Sequence, residues 1–365
     1  MSLVLLANDG LREPAECVVK IGGMEIGDLY PHLGEVVVEA SRKGAAVCRL
    51  SFESYRDQLG RWVVSDDSRV RPWAELAVFA VFGSRREPVF EGFIKKVDVK
   101  VGESTAKVEV SGQDCSLLLD REHVRKPWST AERPLSDQQI VQQIASAFQL
   151  TADVPAKGLN NQTLTQDGSA AAFIGQRAEA NGYEFHVRGK QLYFGPPRLD
   201  GQPQPTILVH AGPRTNCMGF DVTFDGHRPD AVRILRSDAN SNITKTVIEP
   251  DLRLLGSVAA DSRGQGLGQF VWDIQPSGGS EAELQAAAKA KANDNAWKLR
   301  AEGELDGSFY GHVLLTHETV RVDGIGPTYG GVWYVDAVRH AFSASGYRQR
   351  FVLIRNATGE RGGAG

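Results

Sequence analysis

Apolar side chains recur at every second position in two runs near the C-terminal end. They lie in residues 332–342 and 347–355, on either side of Ser345-Gly346: Trp333, Val335 and Ala337, then Tyr347, Phe351 and Leu353. Period-two alternation is typical of a β-strand, whose successive side chains point to opposite faces. Glycine supplies the backbone freedom that a tight turn requires. The pattern predicts a long hairpin that closes a β-domain.

The same strand pattern fills two long regions of the chain. Residues 15–111 hold about six strand-like runs, which is typical of a small barrel or sandwich. The runs are residues 15–21, 35–40, 45–53, 76–82, 89–101 and 105–111. The pattern returns in residues 206–356, with runs at 217–224, 231–235, 244–248, 312–316 and 319–322 before the last hairpin. Both regions end in a long hairpin, turning at Gly102 and at Gly346, which weakly indicates a duplication.

Helical patterns lie between and after these regions. Ser136 to Gln139 and Ser280 to Glu283 match the capping box, so each predicts a helix start. Another helix is predicted from near Ser169 to a left-handed cap at Asn181-Gly182, followed by a hairpin over residues 183–194. The alanine-rich helix after Ser280 is expected to reach Arg300 and to end at Gly303. Residues 255–279, which include Trp272, are expected to be irregular, and residues 54–72 to form a charged loop or a protruding hairpin.

These elements predict an α+β fold that is mostly β. Two tube-like β-barrel or sandwich domains, residues 1–120 and 206–356, flank a small α+β insert at residues 121–205. The second β-domain carries the alanine-rich helix. Residues 357–365 are small and polar, and we expect a flexible tail there.

Composition narrows the classes of function. The 41 Lys and Arg residues and 45 Asp and Glu residues of the 365-residue chain give a formal charge of −4. Nucleic-acid binders usually carry a basic excess, so we expect no nucleic-acid partner. No stretch is long and apolar enough to cross a bilayer, and no signal peptide is recognisable. The four cysteines form no CxxC pair and are expected to be reduced core thiols: Cys17, Cys48, Cys115 and Cys217.

The search for chemistry predicts no catalytic residue, no metal site and no cofactor. His312 and His317 are five residues apart on a predicted strand, so their side chains would point to opposite faces. His340 fits a packed histidine better than a ligand. The glycines of residues 264–268 have the wrong spacing for a dinucleotide loop. Binding is therefore the favoured class, and Trp62 and Trp272 are candidate interface residues, although packing onto their own chain remains the alternative.

Several segments resemble the phage late control D family. They are residues 173–185, which end in Asn-Gly-Tyr-Glu-Phe, residues 192–197 (Leu-Tyr-Phe-Gly-Pro-Pro), residues 90–94 around Gly92, residues 114–121, and residues 329–351. The resemblance spans residues 89 to 356, with the segments in the family's order.

The resemblance implies a baseplate hub protein of a contractile phage tail or a related injection particle. Such hubs are homotrimers in which two tube-like domains per subunit give a pseudo-sixfold ring. The implied partners are other copies of the chain, the hexameric inner tube protein, the trimeric spike protein and other baseplate proteins. We expect synthesis in the bacterial cytoplasm and assembly into the baseplate of a virion or tail-like particle.

Two further expectations concern the end of the chain. The sequence stops at Gly365 without the oligonucleotide-binding fold and β-helix of type VI spike proteins, so we expect a separate spike. The last hairpin carries Arg339, Arg348 and Arg350, which are candidate contacts to a neighbouring subunit, or simply solvated arginines. A tail-associated peptidoglycan hydrolase and a host-surface carbohydrate-binding module remain alternative functions.

Overall fold

The computed structural model describes residues 15–161, 163–237, 243–263, 266–275 and 280–360. The fold is mostly β with few helices, which confirms the predicted class. A 13-stranded sheet forms its centre, and several two- and three-stranded sheets lie around it.

The first half of the chain is a curled sheet over an apolar core. Its strands are β1 (Glu16–Ile21), β2 (Met24–Glu25), β3 (Leu33–Ser41), β4 (Val47–Ser54), β5 (Glu75–Phe82), β6 (Arg85–Val101) and β7 (Ala106–Asp114). They pair in the order β3-β4-β7-β6-β5-β1. Strand β6 is long enough to serve two neighbours: its first part pairs with β5, and its second part pairs with β7. The alternation in β4 works as predicted, with Cys48, Leu50 and Phe52 buried in this core.

The insert packs two helices against short strands. Its elements are β8 (Val124–Ser129), β9 (Leu135–Ser136), α1 (Asp137–Ala147), β10 (Thr151–Asp153), β11 (Asn160–Asn161), β12 (Leu164–Gly168), α2 (Ala170–Asn181), β13 (Glu184–Arg188) and β14 (Gln191–Gly195). Ser136 and Gln139 make both bonds of the predicted capping box. Gly182 has a φ of 67° and caps α2 in the left-handed conformation, as predicted.

A buried carboxylate holds the two helices of the insert together. Asp137, at the start of α1, is fully buried and accepts hydrogen bonds from Arg177 Nε at 2.8 Å and Nη2 at 3.1 Å. Asn161 Nδ2 at 2.9 Å, Asn181 Nδ2 at 2.7 Å and the backbone N–H of Leu159 at 3.1 Å also donate to it. Both oxygens are therefore satisfied, which a buried charge requires.

The second half of the chain contains the remaining described strands, β15 to β25, and two helices. The elements are β15 (Gln204–Leu208), β16 (Cys217–Phe224), β17 (Ala231–Ser237), β18 (Ile243–Ile248), β19 (Val258–Ala259), β20 (Val271–Ile274), α3 (Glu281–Ala296), β21 (Leu299–Asp306), α4 (Gly307–Tyr310), β22 (Thr319–Asp323), β23 (Gly331–Ser343), β24 (Gly346–Arg355) and β25 (Ala357–Thr358). Strands β23 and β24 are the predicted hairpin. Trp333, Val335 and Leu353 from it are completely buried in the core of this half.

Strand order repeats between the halves. The second half runs β16-β21-β24-β23-β22-β15, and the first runs β3-β4-β7-β6-β5-β1. In each, a long strand (β23 or β6) turns into a hairpin and also pairs with the strand before it. The halves differ at their last pairing, since β15 is parallel to β22 whereas β1 is antiparallel to β5.

Four local predictions were wrong or incomplete. Trp272 lies in strand β20, which pairs in parallel with β17, rather than in an irregular run. Helix α3 stops at Ala296, and Gly303 lies inside β21 rather than at the helix end. A glycine is needed there because a Cβ would stand 2.5 Å from Phe351 Cζ. Residues 312–316 are not a strand: the backbone N–H groups of Leu314 and Leu315 bond to glutamine side chains instead of a ladder. The expected tail begins with β25, which pairs with β19.

Some expected features fall outside the described residues. They include part of the glycine-rich residues 264–268, part of the run at 255–279, the first fourteen positions of the first predicted domain, and residues 361–365 of the expected tail.

Candidate assembly surface

The two halves are joined edge to edge by main-chain hydrogen bonding. Residues 337–342 of β23 pair antiparallel with residues 36–41 of β3, so that Ala337 lies opposite Ser41 and Phe342 opposite Val36. This pairing, called the seam below, makes one continuous sheet from the two halves. Backbone groups at a sheet edge otherwise remain open for pairing with another chain.

The three arginines predicted on the last hairpin lie on one face of the sheet beside the seam. Arg339 on β23 and Arg350 on β24 are direct cross-strand neighbours, and Arg348 is two residues from Arg350 on the same strand. The structure therefore brings these three candidate residues together. Whether they contact a neighbouring subunit remains a prediction.

Each arginine is paired with an acidic side chain of the adjacent strand. Arg350 Nε lies 2.6 Å from Glu304 Oε2, and Arg348 Nη1 lies 2.8 Å from Asp306 Oδ2. Arg339 Nε lies 3.4 Å from Glu39 Oε1, across the seam. Exposed ion pairs contribute little stability, typically about 0–1 kcal/mol each. This face is consequently a mosaic of paired charges rather than a basic patch.

The two candidate tryptophans lie apart from the arginines. Trp62 is half-buried in the link after β4, where its ring centroid lies 5.0 Å from the Arg56 guanidinium and its backbone N–H donates to Asp66. Trp272 is 43% exposed on β20, with the ring of Phe270 edge-on at 6.1 Å. The two tryptophans thus belong to different parts of the surface.

Sequence reasoning missed a set of apolar side chains exposed along strand edges. Val99 and Val101 at the end of β6, and Met218 and Phe224 on β16, are all exposed. The signal was present in the alternation of valine with charged residues at positions 96–101. The sequence pattern does not show that β5, the strand beside β6, ends before Val99 and Val101 and leaves them uncovered.

A polar cluster lies where the two halves meet the insert. Glu184 of β13 is buried and accepts hydrogen bonds from Tyr334 Oη at 2.6 Å, while its Oε2 lies 2.9 Å from His317 Nδ1. Burial, with the Glu184 carboxylate beside it, raises the pKa of Tyr334 well above its usual value. Arg42, which follows β3, contacts Asp336 of β23 at 2.9 Å and lies 3.7 Å from Glu184. The cluster therefore ties all three parts of the chain together.

His186 and His340 have lowered pKa values and are not prepared for proton transfer at neutral pH. Burial, reinforced by the neighbouring His317, lowers the pKa of His186 to about 2. Burial lowers the pKa of His340 to about 3, and its Nδ1 lies 2.8 Å from the hydroxyl of Tyr347. A general base needs a pKa near the working pH, so neither ring suits that role.

The cleft between α2 and α3 and the search for metal ligands do not point to a particular reaction either. A cleft of about 650 Å³ lies between α2 and α3 and is lined by charges of both signs, such as Arg177, Lys291, Glu179 and Asp294. In the part of the chain that the structure describes, no group of three or more His, Cys, Asp or Glu side chains could hold a metal ion. No helix within the described ranges is long and apolar enough to span a membrane.

The comparison with family models identifies the chain. The model described as the Alg8 N-terminal domain matches residues 12–344. The chain belongs to the Alg8 N-terminal domain family. This family is not the late control D family that the sequence resembles. The matching family model therefore does not support that resemblance. No curated protein matches the chain.

Solved structures show the fold of this Alg8 N-terminal domain chain to be that of phage tail proteins. The 43 kDa tail protein of prophage MuSo2 from Shewanella oneidensis is 14% identical with a TM-score of 0.69, over 94% of this chain and 99% of that one. The tail protein from Neisseria meningitidis MC58 is also 14% identical with a TM-score of 0.65, over 94% and 97%.

A component of the Escherichia coli type VI secretion system shares the fold. It is 12% identical with a TM-score of 0.58, over 94% of this chain and 79% of that one, and is described as similar to bacteriophage T4 tail proteins. Identities this low establish the fold alone. This chain of the Alg8 N-terminal domain family thus shares its fold with these tail proteins and this type VI secretion component.

Proposed function

We propose that this chain is a structural subunit of a baseplate hub in a contractile phage tail or a related injection particle. The observation that carries the proposal is the 13-stranded sheet, in which two halves of equivalent strand order stand side by side. When each subunit has two equivalent halves, a ring of such subunits contains twice as many halves as it has copies of the chain. The tail-protein fold and the late control D resemblance support the same class.

In this proposal three copies form a ring of six halves. Such a ring matches a hexameric inner tube on one side and a trimeric spike on the other, so it adapts one symmetry to the other. The partners are other copies of the chain, the tube protein, the spike protein and further baseplate proteins, in a virion or a tail-like particle. Cyclic assemblies of this kind are built from head-to-tail contacts between identical subunits.

The hub role is non-enzymatic. Its working parts are extended interfaces rather than a pocket. The neutral His186 and His340 and the paired charges around Arg350 fit a scaffold. A peptidoglycan hydrolase would need two carboxylates flanking a cleft with pKa values pushed apart.

The mass of the purified chain in solution tests the hub. We expect trimers by light scattering across a concentration series, with threefold symmetry in low-resolution images. A chain that stays monomeric at high concentration would contradict the proposal. Clearing of a peptidoglycan gel by the chain would favour the hydrolase instead.

A carbohydrate-binding module is a second candidate because Trp272 on β20 and Phe270 just before that strand are both exposed, with their rings in edge contact. Aromatic rings with exposed faces are suitable platforms for sugars. Glycan-array binding that is lost in Trp272→Ala and kept in Trp62→Ala would favour this role. Absence of glycan binding by the intact chain would remove it.

A further inference from the structure

Each half of the chain has an open strand edge on a strand that corresponds, in the repeated order, to a strand of the seam. Strand β16 pairs with β21 on one side, and no described strand pairs with its other side. The last part of β6, residues 95–101, pairs with β7, but the partner on its other side ends where Glu75 lies opposite Phe93. In the repeated strand order, β16 corresponds to β3 and β6 corresponds to β23. The seam is formed by β3 and β23, the counterparts of the two strands with open edges.

The correspondence can be fixed residue by residue from irregularities in the ladders. The β23–β24 ladder shifts register between Val335 and Ala337, and the β6–β7 ladder shifts between Ile94 and Lys96. Counting from these bulges, Lys96 corresponds to Ala337 and Val101 to Phe342. Bulges are positional features of a fold, so they make reliable markers.

The other two strands align in the same way. The β3–β4 ladder shifts between Leu33 and Glu35, and the β16–β21 ladder shifts between Cys217 and Gly219. Phe220 therefore corresponds to Val36, and Asp225 to Ser41. Both strands of the seam thus have a counterpart with an open edge.

Burial differs as expected for a strand pair that lacks its partner. His340 and Phe342 of the seam are 2% and 6% exposed, whereas their counterparts Val99 and Val101 are 44% and 62% exposed. Val36 is buried, whereas its counterpart Phe220 is only half-buried. Side chains that are covered at the seam thus have uncovered or half-covered apolar counterparts at the open edges.

We propose that residues 95–101 of one copy pair antiparallel with β16 of a second copy, in the register of the seam. The proposal rests on the ring assembly of the proposed function and names the strands that close it. The register follows by replacing each seam residue with its counterpart. It sets Val97 opposite Phe224, Val99 opposite Val222, and Val101 opposite Phe220.

Charges are complementary in this register. Lys100 lies opposite Asp221, and Lys96 lies opposite Asp225, which gives two cross-strand pairs of opposite sign. Opposite charges at directly paired positions stabilise a sheet, and like charges destabilise it. The two apolar rows and two ion pairs result from the transferred register alone, since none of these side chains was used to derive it.

Other registers are disfavoured. A slip of one residue turns the valines to the opposite face from Phe220, Val222 and Phe224. A slip of two residues in one direction sets Asp98 opposite Asp221, and in the other direction opposite Asp225. Among these registers, only the seam register combines all three apolar pairs with two pairs of opposite charge.

The two edges differ in sequence, so the contact is head-to-tail. Each copy then offers residues 95–101 to one neighbour and β16 to the other. Head-to-tail contacts generate a closed ring when the rotation between copies closes. Three copies would form a ring from six halves, with seams inside copies alternating with junctions between copies.

The first test is Val99→Asp, which places a carboxylate opposite Val222 in the junction. Because Val99 is exposed in the single chain, we expect circular dichroism and the thermal midpoint to match the unchanged chain. We expect the assembly to be lost by light scattering. Val247→Asp is the matched control, since Val247 is equally exposed on β18, away from both edges. An assembled Val99→Asp chain would overturn the proposal.

The second test exchanges charges across the junction. We expect Lys100→Asp and Asp221→Lys each to weaken association about tenfold per junction, and the double variant to regain it. Lys157→Asp on the insert controls for the change in net charge. A double variant that is no better than either single variant would contradict the proposed register.

The outcomes separate this proposal from the trimeric hub. A trimer that Val99→Asp leaves intact refutes the edge pairing and keeps the hub. An assembly of another size that Val99→Asp abolishes supports the edge pairing and refutes the trimer. A chain that is monomeric at every concentration refutes both.

Discussion

Replacing Arg177 with leucine would leave the Asp137 carboxylate buried without its cation. Arg177 donates two hydrogen bonds to Asp137 and a third, at 2.9 Å, to Asn161 Oδ1. The remaining donors to Asp137 are two amide side chains and one backbone N–H. Arg177→Leu therefore removes charge compensation while keeping most of the packing volume.

The expected cost follows from the burial of both partners. Asp137 is fully buried and the Arg177 side chain is only 11% exposed. Breaking a buried ion pair by removing one partner costs about 3–5 kcal/mol, because the other charge stays in a poorly solvating environment. Three neutral donors remain, so we expect the lower end, about 3 kcal/mol.

Hydrogen exchange of the α1 and α2 amides would measure this loss within the insert. A decrease of about 3 kcal/mol in the free energy of opening speeds exchange by roughly 100-fold. Arg125→Leu on exposed β8 is the control and should change exchange less than about threefold. The double variant Asp137→Leu/Arg177→Leu should recover much of the loss. An acceleration below about tenfold in Arg177→Leu would refute the reasoning.

Two further predictions concern His340 and Gly92. The folded pKa of His340, about 3, is below its unfolded value of roughly 6.5. The unfolded state therefore binds the extra proton as pH falls through 6.5, and stability decreases by about 1.4 kcal/mol per pH unit until about pH 3. Denaturant midpoints at pH 7 and pH 5 should differ less in His340→Gln than in the unchanged chain, and an equal difference would count against this. Gly92→Ala would place a Cβ 2.1 Å from the carbonyl oxygen of Gln113, so we expect a loss of about 1–3 kcal/mol. Gly175→Ala lies in α2, where no atom beyond the helix's own nearby backbone and the chain neighbours comes within 4 Å of the added Cβ, so it should instead stabilise by about 0.5–1 kcal/mol. Similar midpoints for the two glycine variants would contradict the steric argument.

Local patterns predicted the elements that local physics determines. The capping box at Ser136, the left-handed cap at Gly182 and the turn of the last hairpin at Gly346 each depend on a few neighbouring residues. These features are correct in the structure. Gly303 was misassigned because its reason is a contact with Phe351, which is close only through the ladder between β21 and β24.

The candidate surface was harder to predict than the fold. Parity alone would put Arg339 on the face of the buried Trp333, because the bulge between Val335 and Ala337 switches the faces of β23. The acidic side chains beside Arg339 and Arg350 also lie on strands distant in sequence. Strand edges are harder still. Val99 is uncovered because β5 ends before it along β6. No pattern within residues 95–101 predicts the end of β5.

The seam also has a consequence for the order in which the chain folds. Strand β3 lies early in the sequence and β23 late, so the first half emerges from the ribosome long before the seam edge of β3 can be paired. Contacts this distant in sequence form late, and an unpaired edge is open to other strands meanwhile. Residues 95–101 of another nascent chain are one such competitor. In the seam register they would set Asp98 opposite Glu39, whereas β23 sets Arg339 there. One charged position thus favours the chain's own late strand over the same edge of a neighbouring copy.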